Sequence, residues 1–382
     1  MQHCDVLIVG GGPAGSTCAR ALVAAGLDVI VADKATFPRD KICAGWITPA
    51  VVTELGLDVA EYSRDRTIDP IHGFRVGRMG DRIHDVRYDH PVSYGIRRCE
   101  LDHYLLAASG ARVAEGQRLE RFERNDGRRN GGWIVDGKFA AAVLVGAGGH
   151  FCPVARALGG APASPVITAE EVEFSLEEDE LDGCDVEAGI PELYYTRDLT
   201  GYGWVFRKAG YVNIGLGVRS DRTASSDGRR LSHRIDDFLS YLKTSTRIGR
   251  APRRKMSGHA YLLQPDSRRA VCGDGFVLIG DAAGLAYDRS GEGIRPAVES
   301  GLLAARSIRR AFEHQAVDRA RFGDYAAALE TRFGSSGFDP RSILPGSLLR
   351  GVASALMTSQ WFSRHVLLER WFLHTHEQPL AA

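Results

Sequence analysis

Apolar and polar positions recur along this chain with two periods, and the order in which those periods change outlines its architecture. Asp5–Val9 is a short β-branched run, Pro13–Ala25 has helix-forming composition and Asp28–Ala32 is a second strand-like run, so the N-terminus reads as a β-α-β unit. Ile42–Leu57 mixes Gly, Pro and a helical patch, and Tyr94–Arg98 leads into a helical stretch, Leu101–Ala108. Arg118–Arg124 and Trp133–Val135 flank two clusters of turn residues, Asn125-Asp126-Gly127 and Asn130-Gly131-Gly132, which predicts a hairpin. Val143–Gly146 is another buried strand. From about Ala169 to Gly217 the pattern changes to longer alternating strands, including Glu171–Leu176, Gly203–Arg207 and Tyr211–Val218, which predicts a separate antiparallel sheet. Gly275–Asp281 is a strand ending on Gly-Asp, and Gly293–Phe312 is a long helix with Pro296 in its tolerant first turn. Residues 338–382 hold Pro340, Pro345 and two apolar helical stretches, Leu348–Met357 and Trp361–Leu373.

The chain has 382 residues, more than the usual single domain, yet it lacks a Pro/Ser-rich linker, so two interleaved domains are expected. With 44% hydrophobic and 25% charged residues it has apolar surface for a sizeable core. Forty-eight basic side chains balance 48 acidic ones, which removes the electrostatic argument for a nucleic-acid partner. Seven scattered cysteines fit neither a disulfide framework nor a zinc site and point to a reducing cytoplasm. The first residues run straight into a strand, so no leader is expected, and apolar runs such as Ala140–Ala147 fall short of the roughly 18–20 residues of a membrane span, so membrane contact is expected to be peripheral at most.

Candidate chemistry begins at Gly10-Gly11-Gly12-Pro13-Ala14-Gly15, glycines at the first, third and sixth positions between a strand and a helix. Gly10 permits a tight turn, Gly12 lets the backbone approach a pyrophosphate, and Gly15 allows close helix–strand packing below a helix N-terminus. Asp33 ends the second strand about 20 residues later, where a carboxylate accepts ribose hydroxyls. These residues alone leave NAD and FAD open.

Leu278-Ile279-Gly280-Asp281-Ala282-Ala283 with Gly291-Glu292-Gly293-Ile294 resembles the second flavin fingerprint of the FAD-dependent hydroxylase superfamily. Phe37-Pro38-Arg39-Asp40-Lys41-Ile42-Cys43-Ala44-Gly45-Trp46 and Tyr202-Gly203-Trp204-Val205-Phe206 are similar to the cysteine loop and the aromatic sheet motif of its geranylgeranyl reductase branch. The resemblance spans roughly residues 4–310 and implies an FAD enzyme. It implies that Asp281 binds the ribityl chain, that Gly291, Gly293 and Ile294 place backbone N–H groups by the isoalloxazine, and that Arg98 contacts FAD. Ala14, Lys34, Ala44, Gly45 and Leu119 complete the implied cofactor set. It also implies an α/β (α+β) fold, with a discontinuous Rossmann-type FAD domain over 1–75, 96–160 and 270–330. An antiparallel-sheet substrate domain is expected over 76–95 and 161–269, with a helical C-terminal region over 331–382.

Alternation places Tyr202, Trp204 and Phe206 on one strand face, expected to line a substrate cavity that Cys43 and Trp46 face from the flavin side. Cys43 is the candidate proton donor or gate, and a buried structural thiol is its plain alternative. Three departures stand out. Gly148-Gly149 replaces the superfamily's Asp-Gly signature, so direct nicotinamide-driven reduction is doubtful and NADPH, a flavin reductase or a ferredoxin are all candidate donors. Arg207 replaces a proline, and Tyr287-Asp288-Arg289-Ser290 brings charge to the flavin loop. The expected reaction is hydride transfer to a C=C bond of a prenyl or other hydrophobic substrate. A monooxygenase or halogenase is the enzymatic rival, although no motif places Lys41, Lys208 or Lys255 for halogenation, and an electron shuttle or redox sensor is the non-enzymatic one. Glu177-Glu178-Asp179-Glu180 reads as a solvated loop, and His150 as a surface turn beside the glycines. The twelve histidines are read as lacking metal-binding spacings, so no metal is expected. Trp361, Trp371 and Phe372 read as members of a packed terminal helix, with a lipid-tunnel cap as the alternative.

Overall fold

Three sheets organise the chain, of which the computed structural model describes residues 1–125, 132–160, 166–176, 183–220, 231–262, 269–334 and 355–380. The hairpin turn at 126–131, the acidic stretch 177–180, Pro340, Pro345 and most of Leu348–Met357 lie outside the described residues.

The first sheet is built on parallel pairing of β1 (Gln2–Val9) with β2 (Val29–Ala32) on one side and β11 (Phe139–Gly146) on the other. It continues to β8 (Arg112–Ala114) beyond β2 and to β18 (Phe276–Leu278) and β17 (Cys272–Gly273) beyond β11. The predicted hairpin is β9 (Phe122–Arg124) and β10 (Trp133–Val135), antiparallel and docked on β11. The central strands are buried on both faces, which is why they read as continuous apolar runs. Helix α1 (Pro13–Ala24) packs along α7 (Ile294–Glu313), with α8 (Gly323–Phe333) outside. The approach of α1 to α7 is close enough that a Cβ on Gly301 would lie 2.6 Å from Ala14 O.

The second sheet runs β16 (Ser257–Leu262), β12 (Val166–Ser175), β15 (Tyr211–Ser220), β14 (Gly201–Lys208), β13 (Glu192–Tyr195), β5 (Gly73–Arg78) and β6 (Ile83–Arg87). All its pairs are antiparallel except β13 with β5. The expected boundary at 75/76 therefore falls inside β5, and the sheet takes in the whole β5–β6 hairpin. Its two faces differ. Val172, Phe174, Val205, Ile214 and Leu216 pack on Phe238 of α6 (Leu231–Thr244), a helix the sequence reading passes over. Ala169, Trp204 and Phe206 point the other way, toward Trp46.

A small third sheet orders β3 (Trp46–Ile47), β7 (Ser93–Ile96) and β4 (Ile68–Ile71), and joins the cysteine loop to the strand before α4 (Arg98–Ala107). Short helices α2 (Pro49–Leu55), α3 (Val59–Tyr62) and α5 (Pro153–Leu158) fill the connections. The last helix, α9, starts at Gln360–Phe362 and continues with π hydrogen bonding over Ser363–Phe372. It is no loose appendage, because Leu367, Leu368 and Phe372 share a core with Trp46, Trp204 and Phe206. None of the described helices is long and apolar enough to cross a membrane.

The α6 face tests this packing. A Cβ on Gly203 would lie 2.6 Å from the Phe238 ring, so Gly203→Ala should cost roughly 1–3 kcal/mol through overpacking, seen as a lower melting temperature with FAD still bound. An unchanged melting temperature would mean that α6 yields freely.

Candidate active site

The glycine loop sits where its spacing predicts. A Cβ on Gly10 would lie 2.3 Å from Ala147 O and one on Gly15 1.9 Å from Gly10 O, so both close approaches need glycine. Asp33 Oδ2 accepts from Gly11 N at 2.8 Å and Oδ1 from Ala35 N at 2.9 Å, tying the end of β2 to the loop. Gln117 N donates to Asp33 O, bringing the stretch before Leu119 beside this turn, while the Leu119 side chain is buried in the first core. Lys34 is exposed.

Arg39 is the residue here that the sequence reading quotes without assigning a role. Its guanidinium lies 4.7 Å over the Phe37 ring, 3.7 Å from where a Gly12 Cβ would stand and 2.9 Å from buried Asp102, which also holds Arg98 at 2.9 Å. Arg39 Nη1 is buried without a partner. A cation beside a glycine-lined helix N-terminus, with a donor to spare, fits the pyrophosphate of a dinucleotide.

The second fingerprint converges on the same region. Asp281 lies in a 3₁₀ turn, Gly280–Ala282, and a Cβ on Gly293, the N-cap of α7, would lie 3.2 Å from Asp281 Oδ1. Gly291 holds φ +69°, and Glu292 Oε1 accepts from Arg295 N at 2.7 Å, closing the first turn that Ile294 opens. Lys41 Nζ bonds His259 Nε2 at 2.7 Å. Burial lowers the Lys41 pKa to about 8, with Asp281 opposing, and burial together with the Lys41 charge lowers His259 to about 3. His150 also stays below its ordinary value through burial and Arg269.

The cysteine loop is fixed from the second sheet. Lys208, fully buried, donates to Ala44 O at 3.0 Å and Ile96 O at 2.8 Å and pairs with Glu173 at 2.7 Å. Gly45 holds φ +77°, and a Cβ there would lie 2.2 Å from Lys208 Nζ. Asn213 donates to Cys43 O at 3.2 Å and accepts from Trp204 Nε1 at 2.7 Å. The Cys43 side chain lies against the Arg98 guanidinium.

A cavity of about 270 Å³ is lined by Tyr202 and Trp204, by Met357, Phe362, Leu367 and Trp371 from the C-terminal segment, and by Asp288, Arg289, Ser290 and Gly291 of the second fingerprint loop. Tyr202 OH donates to Ser290 O, which ties the aromatic strand to the flavin loop. Trp204 lies flat over Gly215, where a Cβ would come within 2.2 Å of its ring. Trp46 does not line this cavity, and neither does Cys43. Trp46 is buried with ring centroids 6.4 Å from Phe206 and 6.1 Å from Phe372, and Cys43 reaches Trp204 through Asn213. Lys208, Asn213 and the carboxylates of β12 were missed. Lys208 stands at the next alternate position after Tyr202, Trp204 and Phe206, and that spacing was the available signal.

His374-Thr375-His376 does carry a metal-type spacing, contrary to the sequence reading, and with Glu377 it brings three donor atoms within 4.8 Å. Glu377 is already engaged by Tyr287 OH at 2.9 Å and faces Arg332 at 3.8 Å and Arg295 at 3.9 Å. Burial pushes its carboxyl up, but hydrogen bonds from His374 and Tyr287 and the Arg295 charge outweigh that and bring it to about 2. The cluster thus clasps the C-terminal segment to Tyr287 and α7.

Two strand-turn-helix sites that converge on one region, the second of them bordering an aromatic cavity, fit a flavoprotein oxidoreductase. The chain belongs to the family described as FAD binding domain, whose model matches residues 3–318. Menaquinone reductase of Mycobacterium tuberculosis is 32% identical to it over 320 residues, covering 79% of this chain and 75% of that protein. A geranylgeranyl bacteriochlorophyll reductase-like structure from Thermoplasma acidophilum superposes with a TM-score of 0.73 at 21% identity, covering 94% of this chain and 88% of that one. A flavin-dependent brominase shares the fold with a TM-score of 0.71 at 18% identity, covering 98% and 93%. The chain is thus an FAD-dependent enzyme related to reductases.

Removing the Arg39 guanidinium should weaken FAD binding by roughly 10–100-fold, the 1.5–3 kcal/mol of hydrogen bonds to a charged group. Titration of apo Arg39→Ala with FAD measures this, and wild-type affinity would remove Arg39 from the cofactor site.

Proposed function

We propose that this enzyme reduces a C=C bond in the isoprenoid portion of an amphipathic lipid, such as a prenylated quinone. The observation that carries the reading is the cavity. Its walls are largely aromatic and aliphatic, with Arg219, Asp288 and Arg289 as their charged members, and they include Ser290 and Gly291 of the implied flavin loop, which supports a bound double bond facing the flavin. A volume of about 270 Å³ suits a short stretch of chain, with the remainder outside. Exposed Leu356 and Trp361 flank the cavity residues Met357 and Phe362, where a lipid would enter from a membrane surface on the cytoplasmic side. The relative named menaquinone reductase supports a quinone lipid over other prenyl compounds.

Bound FAD supplies the hydride chemistry. The protein's part is to hold the chain against Tyr202 and Trp204, to exclude water with α9, and to bring a proton to the carbon opposite the hydride, from Cys43 where the double bond reaches past the cavity lining to the cysteine loop. Halogenation is disfavoured because no lysine among the described residues lines the cavity. Lys208 is consumed by the loop, Lys41 by His259, and Lys255 is exposed.

The test is anaerobic reduction of the flavin followed by mixing with a prenylated quinone, or with oxygen and halide. Reoxidation by the quinone lipid with a saturated product is expected, and halide-dependent halogenation instead would overturn the reading. Cys43→Ser should keep its FAD and slow that reoxidation roughly 10²-fold or more, whereas an unchanged rate would leave Cys43 a spectator. Direct bleaching by NADPH should be slow for want of an acid at Gly148, and fast bleaching in stopped flow would show that acid to be dispensable.

A further inference from the structure

Glycines cluster where β14 and β15 meet the cavity, and one of them has no structural reason to be glycine. On β15, Asn213, Gly215, Gly217 and Arg219 alternate with Val212, Ile214, Leu216 and Val218, which pack on the α6 side, so Gly215 and Gly217 face the cavity. A Cβ on Gly201, at the start of β14, would lie 2.1 Å from Gly217 O, and one on Gly215 would lie 2.2 Å from the Trp204 ring, so neither position admits a side chain. Gly217 is different. Its φ is not left-handed. The nearest atoms a Cβ would meet are Ala169 Cβ at 3.8 Å, Ile167 Cγ2 at 3.9 Å and Trp204 Cζ3 at 3.9 Å, all ordinary van der Waals contacts. A glycine inside a strand weakens it and often marks a place where a ligand comes close to the backbone, and Gly217 lines the cavity.

The space left by the missing side chain has a definite chemistry. Three carbons stand around the point where the Cβ would be, at the separation where dispersion attraction between carbon atoms is strongest. Gly217 pairs with Ala169 of β12 and with Tyr202 of β14, so its own N–H and C=O are spent within the sheet. The nearest atoms are all carbon, and a water there would lack the partners that hold one. The space therefore suits an apolar group about the size of a methyl.

We propose that Gly217 is a specificity-determining residue whose vacant side-chain position seats a methyl branch of the substrate, so that the cavity selects methyl-branched chains over linear ones. The inference rests on the cavity as the place of the substrate chain, as in the reading above, and not on the reaction performed there. An isoprenoid carries a methyl on each repeating unit, attached at the double bond. Seating one branch holds the whole chain in register, whereas a linear chain passes over the same place without filling it. The seat and the flavin loop are joined through Tyr202, which pairs with Gly217 by its backbone and reaches Ser290 O by its hydroxyl. A double bond beside the seated methyl is thus within a tyrosine side chain's reach of that loop.

The experiment is equilibrium dialysis of the oxidised holoenzyme against farnesol and against the unbranched trienol with the same main chain. Methyl groups strengthen binding to any apolar surface, so the deciding quantity is the ratio of the two affinities in each variant. Gly217→Ala should cut the preference for farnesol by roughly tenfold or more. Its FAD content should be unchanged and its melting temperature unchanged or raised, because the new Cβ meets only ordinary contacts. Ile167→Ala removes one wall of the seat and should cut the preference part-way, which decides the matter independently should Gly217→Ala disturb the fold. A wild-type ratio in folded Gly217→Ala, or in Ile167→Ala where that variant decides, would overturn the proposal, as would a wild type with no preference. Because the oxidised enzyme turns nothing over, a ratio that collapses in Gly217→Ala, in a protein that halogenates rather than reduces, would uphold the seat and sink the reductase reading alone. Reduction of a prenylated quinone with an unchanged ratio would do the reverse.

Discussion

The Lys208 ammonium is the point on which the two halves of this enzyme are joined. A fully buried charge costs several kcal/mol in desolvation unless every donor is met, and Lys208 meets all three: Ala44 O, Ile96 O and the Glu173 carboxylate. Two of those acceptors belong to the cofactor side and one to the substrate sheet. The geometry therefore leaves the cysteine loop little freedom to shift against the sheet. Gly45 is glycine because its φ of +77° is left-handed and the Ile96 carbonyl, which the same ammonium binds, stands too close for a side chain. Asn213 repeats the pattern one strand away, with one end on Cys43 and the other on the Trp204 indole.

Much of the cofactor side was legible because its signals are local. A β-branched run, a glycine turn and a helix start are adjacent in sequence, so Gly10–Gly15 and Gly280–Ile294 announce their geometry without reference to the rest of the chain. The substrate side was legible only in its alternation. Glu171 and Glu173 alternating with Val172 and Phe174 look like a half-exposed strand whose polar face meets water. That face meets the cysteine loop instead, and nothing within β12 distinguishes the two outcomes. Lys208 is hidden for the same reason, since its partners lie 112 and 164 residues away. The C-terminal helix could be recognised as apolar, but the surface it covers is set by tertiary contacts that its own period does not encode.

The aromatic motif shows the same division. Tyr202, Trp204 and Phe206 share a face as their spacing requires, yet each does something different. Tyr202 and Trp204 wall the cavity, whereas Phe206 is buried against Trp46 and the floor of the loop, where Gly95 leaves room for its ring. Alternation assigns a side; depth along the strand assigns the task.

Arg295, on the first turn of α7, grips the C-terminal segment in a particular way. Its guanidinium donates to the backbone carbonyls of His374, Glu377 and Gln378, and Arg332 adds a second bond to Gln378 O. A carbonyl oxygen is the same whatever side chain follows it. The end of the segment is thus held in part by its main chain, which leaves half-buried cavity side chains such as Phe362 and Trp371 freer to vary than the buried Leu367. The wall of the cavity can be re-cut for a longer, shorter or branched substrate while the flavin end of α7 stays as it is, so divergence of substrate preference in such enzymes has an inexpensive route through their last few dozen residues.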